Sequence, residues 1–283
     1  MAQTSIRGVT LHYEIIGNSG PWVAIAPGGR RGIEGVSSLA QRLGRAGYRV
    51  LVHDRRNCGA SDVSIDGEGS EYEIWADDLN ALLTQLGATR AFVGGSSSGC
   101  RMAILYALRF PRAVEGLLIW RVTGGGTAAR RLARNYYGQY IEAAQGGGMA
   151  AVCATEHFSA RIGERAENRA LLMAMDPERF IQVMENWNRY FVEGADLPII
   201  GATGQQLRSI LLPTCVLPGN DNSHPRRVGE NLATLLPRAE LHSLGLADYD
   251  LDLSPRDEWD EREPALAAIF AGFMARVRLQ SAP

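Results

Sequence analysis

Two kinds of apolar pattern alternate along the first 120 residues. Short apolar runs, typical of buried strands, lie at residues 23–26, 49–53, 91–93 and 114–120. Between them, apolar side chains recur at helical spacing within residues 36–43, 71–86 and 100–109. Ahead of them, two alternating stretches at 4–7 and 10–16 predict strands joined by a tight turn at Gly8. Repeated alternation of strand and helix predicts an α/β fold with a mostly parallel, doubly wound sheet.

The pattern changes after residue 124 and returns near residue 214. Between these points the sequence has helical periodicity, interrupted by the glycines at 146–148 and by Asp176-Pro177, and no convincing strand. The alternation then resumes with strands at 214–217 and 240–244 and helices at 227–236 and 263–277. We therefore predict one α/β core, formed by residues 1–123 and 206–283, and a helical insertion at 124–205.

Composition removes several classes of chemistry. All 29 basic residues are Arg, and the chain contains no Lys. Schiff-base and pyridoxal phosphate enzymes need a Lys amine, and a Walker-type phosphate loop needs its own Lys. These activities are therefore excluded.

The charge and the cysteine pattern limit which partners and cofactors the sequence favours. The formal charge is -2 and no basic stripe is present, so nucleic acid is not an expected partner. The first ten residues lack the apolar stretch of a signal peptide, and no apolar run is long enough to cross a bilayer. The four Cys form no CxxC pair, which argues against a zinc site or a disulfide framework. We expect a cytoplasmic protein that acts on a small molecule without metal or cofactor.

Gly95-Ser96-Ser97-Ser98-Gly99 is the motif most typical of catalysis. It is a GxSxG sequence placed directly after a predicted buried strand and directly before a predicted helix. A nucleophile elbow requires this context, since its sharp turn needs glycines and the following helix points its N-terminus at the serine. The alternative interpretation is a loop rich in Gly and Ser with no chemical role.

At this point the sequence resembles the α/β-hydrolase family over nearly its whole length. The segments that carry the resemblance are 27–29, 54–61, 92–99 and 213–221. The resemblance implies that Ser97 is the nucleophile and that the backbone N–H groups of Gly29 and Ser98 form the oxyanion hole. It also implies that the helical insertion is a cap over the site.

The sequence departs from the family where a catalytic histidine is expected. The loop after the last predicted strand has Ala247-Asp248 in that place. Of the five His, His224 is the best candidate base, because it follows the strand that ends at Asp221. We hypothesise a rearranged Ser97–His224–Asp248 triad, with Asp221 as alternative acid or structural residue. The alternative is that His224 is simply part of a His-Pro loop.

The other histidines receive lesser roles. His242 lies within a predicted strand and is expected in the core, and His12 is expected to lie far from the elbow. His53 ends a strand at the carboxyl edge of the sheet, where we expect it to lie just behind the site. His157, in the insertion, is left open between substrate contact and a solvated face.

Six arginines fall near the carboxyl edge of the predicted sheet, where α/β folds bind ligands. They are Arg30, Arg31, Arg55, Arg56, Arg101 and Arg121. Guanidinium groups suit a carboxylate or phosphate, although several of these should pair with nearby Asp residues. We expect one or two to face substrate, with Arg121 and Arg30 as first choices. Tyr137 and Trp187 either line the pocket or pack the insertion against the core.

These features favour a cofactor-independent serine hydrolase that acts on a small ester, lactone or activated carbon–carbon bond. The Arg residues suggest that its substrate carries a carboxylate. Two alternatives remain open: a non-hydrolytic enzyme of the same fold, such as a lyase, cyclase or cofactorless oxygenase, and a ligand-binding protein without turnover. A homodimer is also left open.

Overall fold

The computed structural model describes residues 2–281, which form an eight-stranded sheet flanked by helices. The spatial order of its strands is β1-β2-β4-β3-β5-β6-β7-β8, with β2 antiparallel to β1 and β4 and the other pairs parallel. The predicted fold class is confirmed. The strands are β1 (Ala2–Ile6), β2 (Val9–Ile16), β3 (Trp22–Ala26), β4 (Arg49–His53), β5 (Ala91–Ser96), β6 (Val114–Trp120), β7 (Thr214–Leu217) and β8 (Ala239–Leu241).

Helices connect the parallel strands and cover both faces of the sheet. None of those within residues 2–281 combines the length and apolar character needed to cross a membrane. The helices are α1 (Ser37–Arg45), α2 (Glu71–Gln85), α3 (Ser98–Arg109), α4 (Gly126–Ala133), α5 (Gln139–Ala154), α6 (Glu156–Glu164), α7 (Glu167–Met173), α8 (Pro177–Glu193), α9 (Gly204–Ser209), α10 (Arg226–Leu235) and α11 (Arg256–Ser281).

The apolar runs of the central strands follow from burial on both faces. In β6, Leu117 and Ile119 join the core shared with α2 and α3, whereas Leu118 and Trp120 join the core shared with α1 and α11. Successive side chains of a strand point to opposite faces, so a strand covered on both sides must be apolar at nearly every position. This explains why 114–120 is readable as a strand from sequence.

Helices α4 to α9 occupy residues 126–209 between β6 and β7, and we call this segment the insertion. A π-helical turn at Arg134–Gly138 joins α4 to α5, and Gly147 and Gly148 kink α5, as the glycine cluster predicts. The long helix α8 packs against both α4 and α5. The division into a core (1–123 and 206–283) and a cap (124–205) stays a prediction.

Two elements differ from the sequence prediction at the C-terminal end of the sheet. Strand β8 ends at Leu241, so His242 lies just beyond it rather than within it. Helix α11 begins at Arg256, seven residues before its predicted start. Its first turns are polar and contain Pro264, which hides the apolar periodicity on which the prediction depended.

The start of α3 approaches β3 closely enough to require glycine. A Cβ atom on Gly99 would lie 2.4 Å from the carbonyl oxygen of Ala26 and 3.1 Å from that of Pro27. Backbone atoms cannot move aside as the end of a flexible side chain can, so the helix would have to shift.

We predict that Gly99→Ala lowers the free energy of unfolding by about 1–3 kcal/mol, the usual cost of overpacking. Urea-induced unfolding followed by circular dichroism measures it. Gly163→Ala is the matched control, because a Cβ at this exposed helical position meets nothing within 4 Å. It should be neutral or stabilise the protein by up to about 1 kcal/mol. Equal stability of both variants would contradict the close approach of α3 to β3.

Candidate active site

Ser97 occupies a strained turn between β5 and α3. Its backbone angles are φ 53° and ψ -108°, and its N–H donates to the carbonyls of Trp120 and Arg121, both at 3.2 Å. A Cβ on Gly95 would lie 2.4 Å from the backbone of Gly99, which explains why glycines flank the serine. Such strained residues cluster at functional sites. The N-terminus of α3 follows directly, with its free N–H groups and positive dipole end.

The Ser97 side chain borders a cavity of about 480 Å³ at the carboxyl edge of the sheet. Its hydroxyl shares a hydrogen bond of 2.9 Å with the hydroxyl of Thr123, a fully buried residue. Sequence reasoning missed Thr123. The available signal was its place in the loop that follows β6, a parallel strand adjacent to the one that carries Ser97.

His224 borders the same cavity as Ser97. Its Nδ1 lies 2.7 Å from Oδ1 of Asp221, and its side chain is only 5% exposed. Because an ionised carboxylate can only accept, Nδ1 carries the proton and Nε2 is left as an acceptor. The structure therefore brings together the predicted serine, a histidine in the tautomer that a general base needs, and one of the two predicted acids.

Asp221 is held by hydrogen bonds on both carboxylate oxygens. Oδ1 also accepts from the backbone N–H groups of Ser223 at 3.0 Å and His224 at 2.8 Å. Oδ2 accepts from Arg121 Nη2 at 2.9 Å and from the N–H of Ser254 at 3.0 Å. Burial alone would raise the pKa of Asp221, but the bonds from His224 and Ser254 and the charge of Arg121 hold it far below its usual range. Asp221 is therefore an anion at neutral pH.

Asp248 does not take the predicted position beside His224. Its carboxylate lies 2.9 and 3.1 Å from Nε of Arg226 and is largely exposed. The loop after β8 turns this side chain towards the start of α10. Asp221, which the sequence left as the alternative acid, is the partner of His224, and the predicted role of Asp248 is corrected.

The other four histidines do not border the Ser97 cavity. His12 contacts Asp54 at 2.7 Å and His157 contacts the carbonyl of Asn57 at 3.1 Å. His53 is buried, without a hydrogen-bond partner for either ring nitrogen among the described residues, and burial lowers its pKa to about 3. His242 is half-buried and lies 3.3 Å from Glu240, so its expected core position is wrong. Strand β8 ends too early to carry it into the core.

The loop that contains Gly29 lies against the elbow. A Cβ on Gly28 would lie 3.1 Å from Cβ of Ser97, and Gly29 itself has a φ of 58°. Arg55 donates to the carbonyl of Gly29 at 2.9 Å and stacks over the ring of Trp75, 4.4 Å from its centroid. This contact fixes the loop next to the first residue of α3, Ser98.

Three of the predicted substrate-binding residues lie where the insertion meets the core and do not border the Ser97 cavity. Arg30 pairs with Glu71 at 2.9 Å, and the hydroxyl of Tyr137 donates to the same carboxylate at 3.1 Å. Trp187 is buried against Tyr137, with ring centroids 6.1 Å apart. These side chains pack the insertion against the core, which was the other interpretation of the aromatics. Arg121 does border the cavity, but Asp221 holds its guanidinium.

Other residues not chosen from sequence complete the wall of the cavity. They include Arg31, Tyr136, Leu253 and Arg256. The Tyr136 hydroxyl would lie 3.6 Å from a Cβ on Gly29, above the loop that faces Ser97. Within residues 2–281, no group of three or more His, Cys, Asp or Glu side chains is placed to hold a metal ion.

Comparison with known proteins places these features in a family. The chain is 33% identical over 120 residues to a 2-hydroxy-6-oxononadienedioate/2-hydroxy-6-oxononatrienedioate hydrolase of Pseudomonas putida, 41% of each chain. It spans 29–41% of the length of the first curated relatives that it matches.

Solved structures match over almost the whole chain. An enol-lactonase from Burkholderia xenovorans LB400 superposes with a TM-score of 0.63 at 18% identity, covering 95% of this chain and 99% of the other. A malate-bound thermophilic esterase from Thermogutta terrifontis superposes with a TM-score of 0.66 at 20% identity, covering 97% and 100%. At such identities the likeness establishes the fold alone.

The family model for the alpha/beta hydrolase fold matches residues 21–242, which include the elbow, the Gly29 loop and the Asp221–His224 pair. Since this match covers well over half of the chain, the protein belongs to the α/β-hydrolase family.

Proposed function

We propose that the protein is a serine hydrolase that cleaves a small ester, lactone or activated carbon–carbon bond without a cofactor. The observation that carries the proposal is the convergence on one cavity of Ser97, in a strained elbow, and His224, whose Nδ1 is bonded to a buried carboxylate. In this proposal Ser97 acts as the nucleophile and His224 as the general base. Asp221 is the carboxylate that orients His224. Chain order does not matter to a triad, because geometry defines it.

The reaction begins with proton transfer from Ser97. Its hydroxyl turns from Thr123 towards Nε2 of His224, which accepts the proton as the oxygen attacks the substrate carbonyl. The Asp221 carboxylate stabilises the imidazolium that forms, and Arg121 and Ser254 hold that carboxylate in place. The N–H groups of Gly29 and Ser98 stabilise the oxyanion. His224 then returns the proton to the leaving group, and water hydrolyses the acyl-enzyme.

The insertion has the place of a cap in this proposal. It supplies Arg131, Leu132, Asn135 and Tyr136 to the cavity wall. A wall that is partly apolar suits the body of a small organic substrate. The guanidinium groups on the same wall favour a substrate that also carries a carboxylate.

We predict that a fluorophosphonate probe labels the wild-type protein and that Ser97→Ala abolishes the labelling. His224→Ala and Asp221→Ala should slow both labelling and hydrolysis of p-nitrophenyl acetate by about 10³-fold or more. Asp248→Ala is the matched control, since this exposed carboxylate pairs with Arg226, and it should react at close to the wild-type rate.

Two results would contradict this assignment. If Asp248→Ala lost activity while Asp221→Ala kept it, the acid would be misassigned. If the probe left Ser97 unlabelled in a folded protein, the ligand-binding alternative or a reaction without an acyl-enzyme would replace the hydrolase.

We predict that kcat/KM stays constant from pH 8 down to about pH 6.5, which is the unperturbed pKa of a His side chain, and falls only below that pH. Burial, and then the charge of Arg121, lower the pKa of His224, while its bond to Asp221 raises it. A general base must be neutral, so a lowered pKa extends activity towards acid.

Asp221→Asn tests the direction in which Asp221 shifts the pKa of His224. It removes the interaction that raises the pKa of His224, so the midpoint should move to still lower pH while kcat falls about 10⁴-fold. The pH dependence of kcat/KM for a p-nitrophenyl ester measures both effects. A wild-type midpoint above pH 7 would contradict the buried position of His224.

A further inference from the structure

Four guanidinium groups border the Ser97 cavity, and three of them have carboxylate partners. Arg121 pairs with Asp221, Arg131 pairs with Asp252, and Arg256 pairs with Asp260. Arg31 is different. Its side-chain hydrogen bond runs from Nε to the carbonyl of Gly28 at 3.4 Å, and no carboxylate within residues 2–281 lies within 4.0 Å of its guanidinium.

Arg31 lies next to the nucleophile. A Cβ placed on Gly28 would be 3.1 Å from Cβ of Ser97 and 3.5 Å from Nη2 of Arg31, so one small space separates the two side chains. Arg31 also borders a second cavity of about 70 Å³, which shares Ser96, Arg121 and Arg256 with the larger one. When the Ser97 oxygen attacks a substrate carbonyl, a substrate chain that follows this wall reaches the Arg31 guanidinium within a few bonds of that carbonyl.

The surroundings of Arg31 are cationic. Arg31 is exposed at the cavity wall, and partial desolvation, followed by the charges of Arg256 and Arg121, lowers its pKa, while Glu34 acts in the opposite direction. Glu34 itself accepts from the N–H of Gly32. On the side of the smaller cavity, Asp260 and Glu263 are committed to Arg256 and Arg42. The neighbouring positive charges of Arg31, Arg121 and Arg256 repel one another, so an anion bound beside Arg31 would be stabilised by all three.

We infer that Arg31 binds a carboxylate of the substrate and so selects esters or lactones with an acidic group a few bonds from the scissile carbonyl. The inference rests on the proposed function because that function identifies the bond that is cleaved. Binding of the anion by Arg31 does not require that Ser97 reacts. The planar guanidinium can donate two parallel hydrogen bonds to a carboxylate, which Lys cannot match. Arg256, which is exposed at the same wall, adds a second positive charge.

Two esters that differ only in charge test this role. Mono-p-nitrophenyl glutarate carries a free carboxylate, and its methyl ester does not. We expect the wild-type protein to prefer the acid by about 10- to 100-fold in kcat/KM, the usual range for a hydrogen-bonded charge. Most of the preference should appear in KM, because the carboxylate is remote from the bond that breaks.

Variants then assign the preference to Arg31. Arg31→Gln should lose it through a rise in KM for the acid, and Arg31→Lys should restore part of it. Arg134→Gln is the matched control for loss of one positive charge, since Arg134 is exposed and pairs with Glu142. Equal preference in wild type and Arg31→Gln would overturn the inference, even with the hydrolase proposal intact.

Binding without turnover separates the two proposals. Isothermal titration of glutarate into Ser97→Ala should show binding that Arg31→Gln in the same background weakens at least tenfold. If the esters are not hydrolysed but this difference is found, the anion site stands and the hydrolase proposal fails. If glutarate binds the two proteins equally, or binds neither, Arg31 is not a carboxylate site. Urea unfolding of each variant confirms that the protein compared is folded.

Discussion

The buried carboxylate of Asp221 is the interaction on which the geometry of the site depends. It joins the loop after β7, the end of β6 through Arg121, and the segment before α11 through Ser254. A buried charge is tolerated only when it is paired and hydrogen-bonded, and here both oxygens are. Each lost contact would leave this buried anion less well compensated, so its bonds hold the three segments in place relative to one another and to His224.

The same arrangement places a histidine beside Asp221 although the loop after β8 has none at Ala247-Asp248. The loop that follows β8 contacts the loop after β7 that carries Asp221, here called the acid loop, through side-chain and backbone hydrogen bonds. The N–H of Asn222 donates to Leu251 at 2.8 Å, that of Ser223 donates to Asp252 at 3.2 Å, and that of Tyr249 donates to Asn220 at 2.7 Å. His224 lies on the acid loop itself, three residues after Asp221. The turn itself therefore sets the spacing between imidazole and carboxylate, instead of the packing of two separate loops.

Sequence patterns predicted those features that depend on burial and on local turns. Strands β4, β6 and β7 were readable because both faces of the sheet are apolar, and the elbow because its glycines are sterically required. Side-chain directions in irregular loops follow no period. Asp248 was chosen for its place in the chain, whereas the structure turns it to Arg226, and the i, i+3 spacing of Asp221 and His224 was the better signal. Likewise, Arg30 and Arg31 are adjacent, yet one is sealed beneath the insertion and the other faces the cavity.

The exclusive use of Arg has a structural consequence at this edge of the sheet. Arg30, Arg55, Arg101 and Arg121 each lie over at least one aromatic ring and donate to a carboxylate, a carbonyl or a hydroxyl. A flat, weakly hydrated guanidinium can be buried in this way, while the compact, strongly hydrated ammonium of Lys would lose more on desolvation. These four guanidinium groups therefore pack against aromatic rings while they keep their charge and their hydrogen bonds. Within residues 2–281, Arg31 has neither an aromatic ring beneath it nor a carboxylate within 4.0 Å, which is why the proposed substrate carboxylate is assigned to Arg31 and to none of these four.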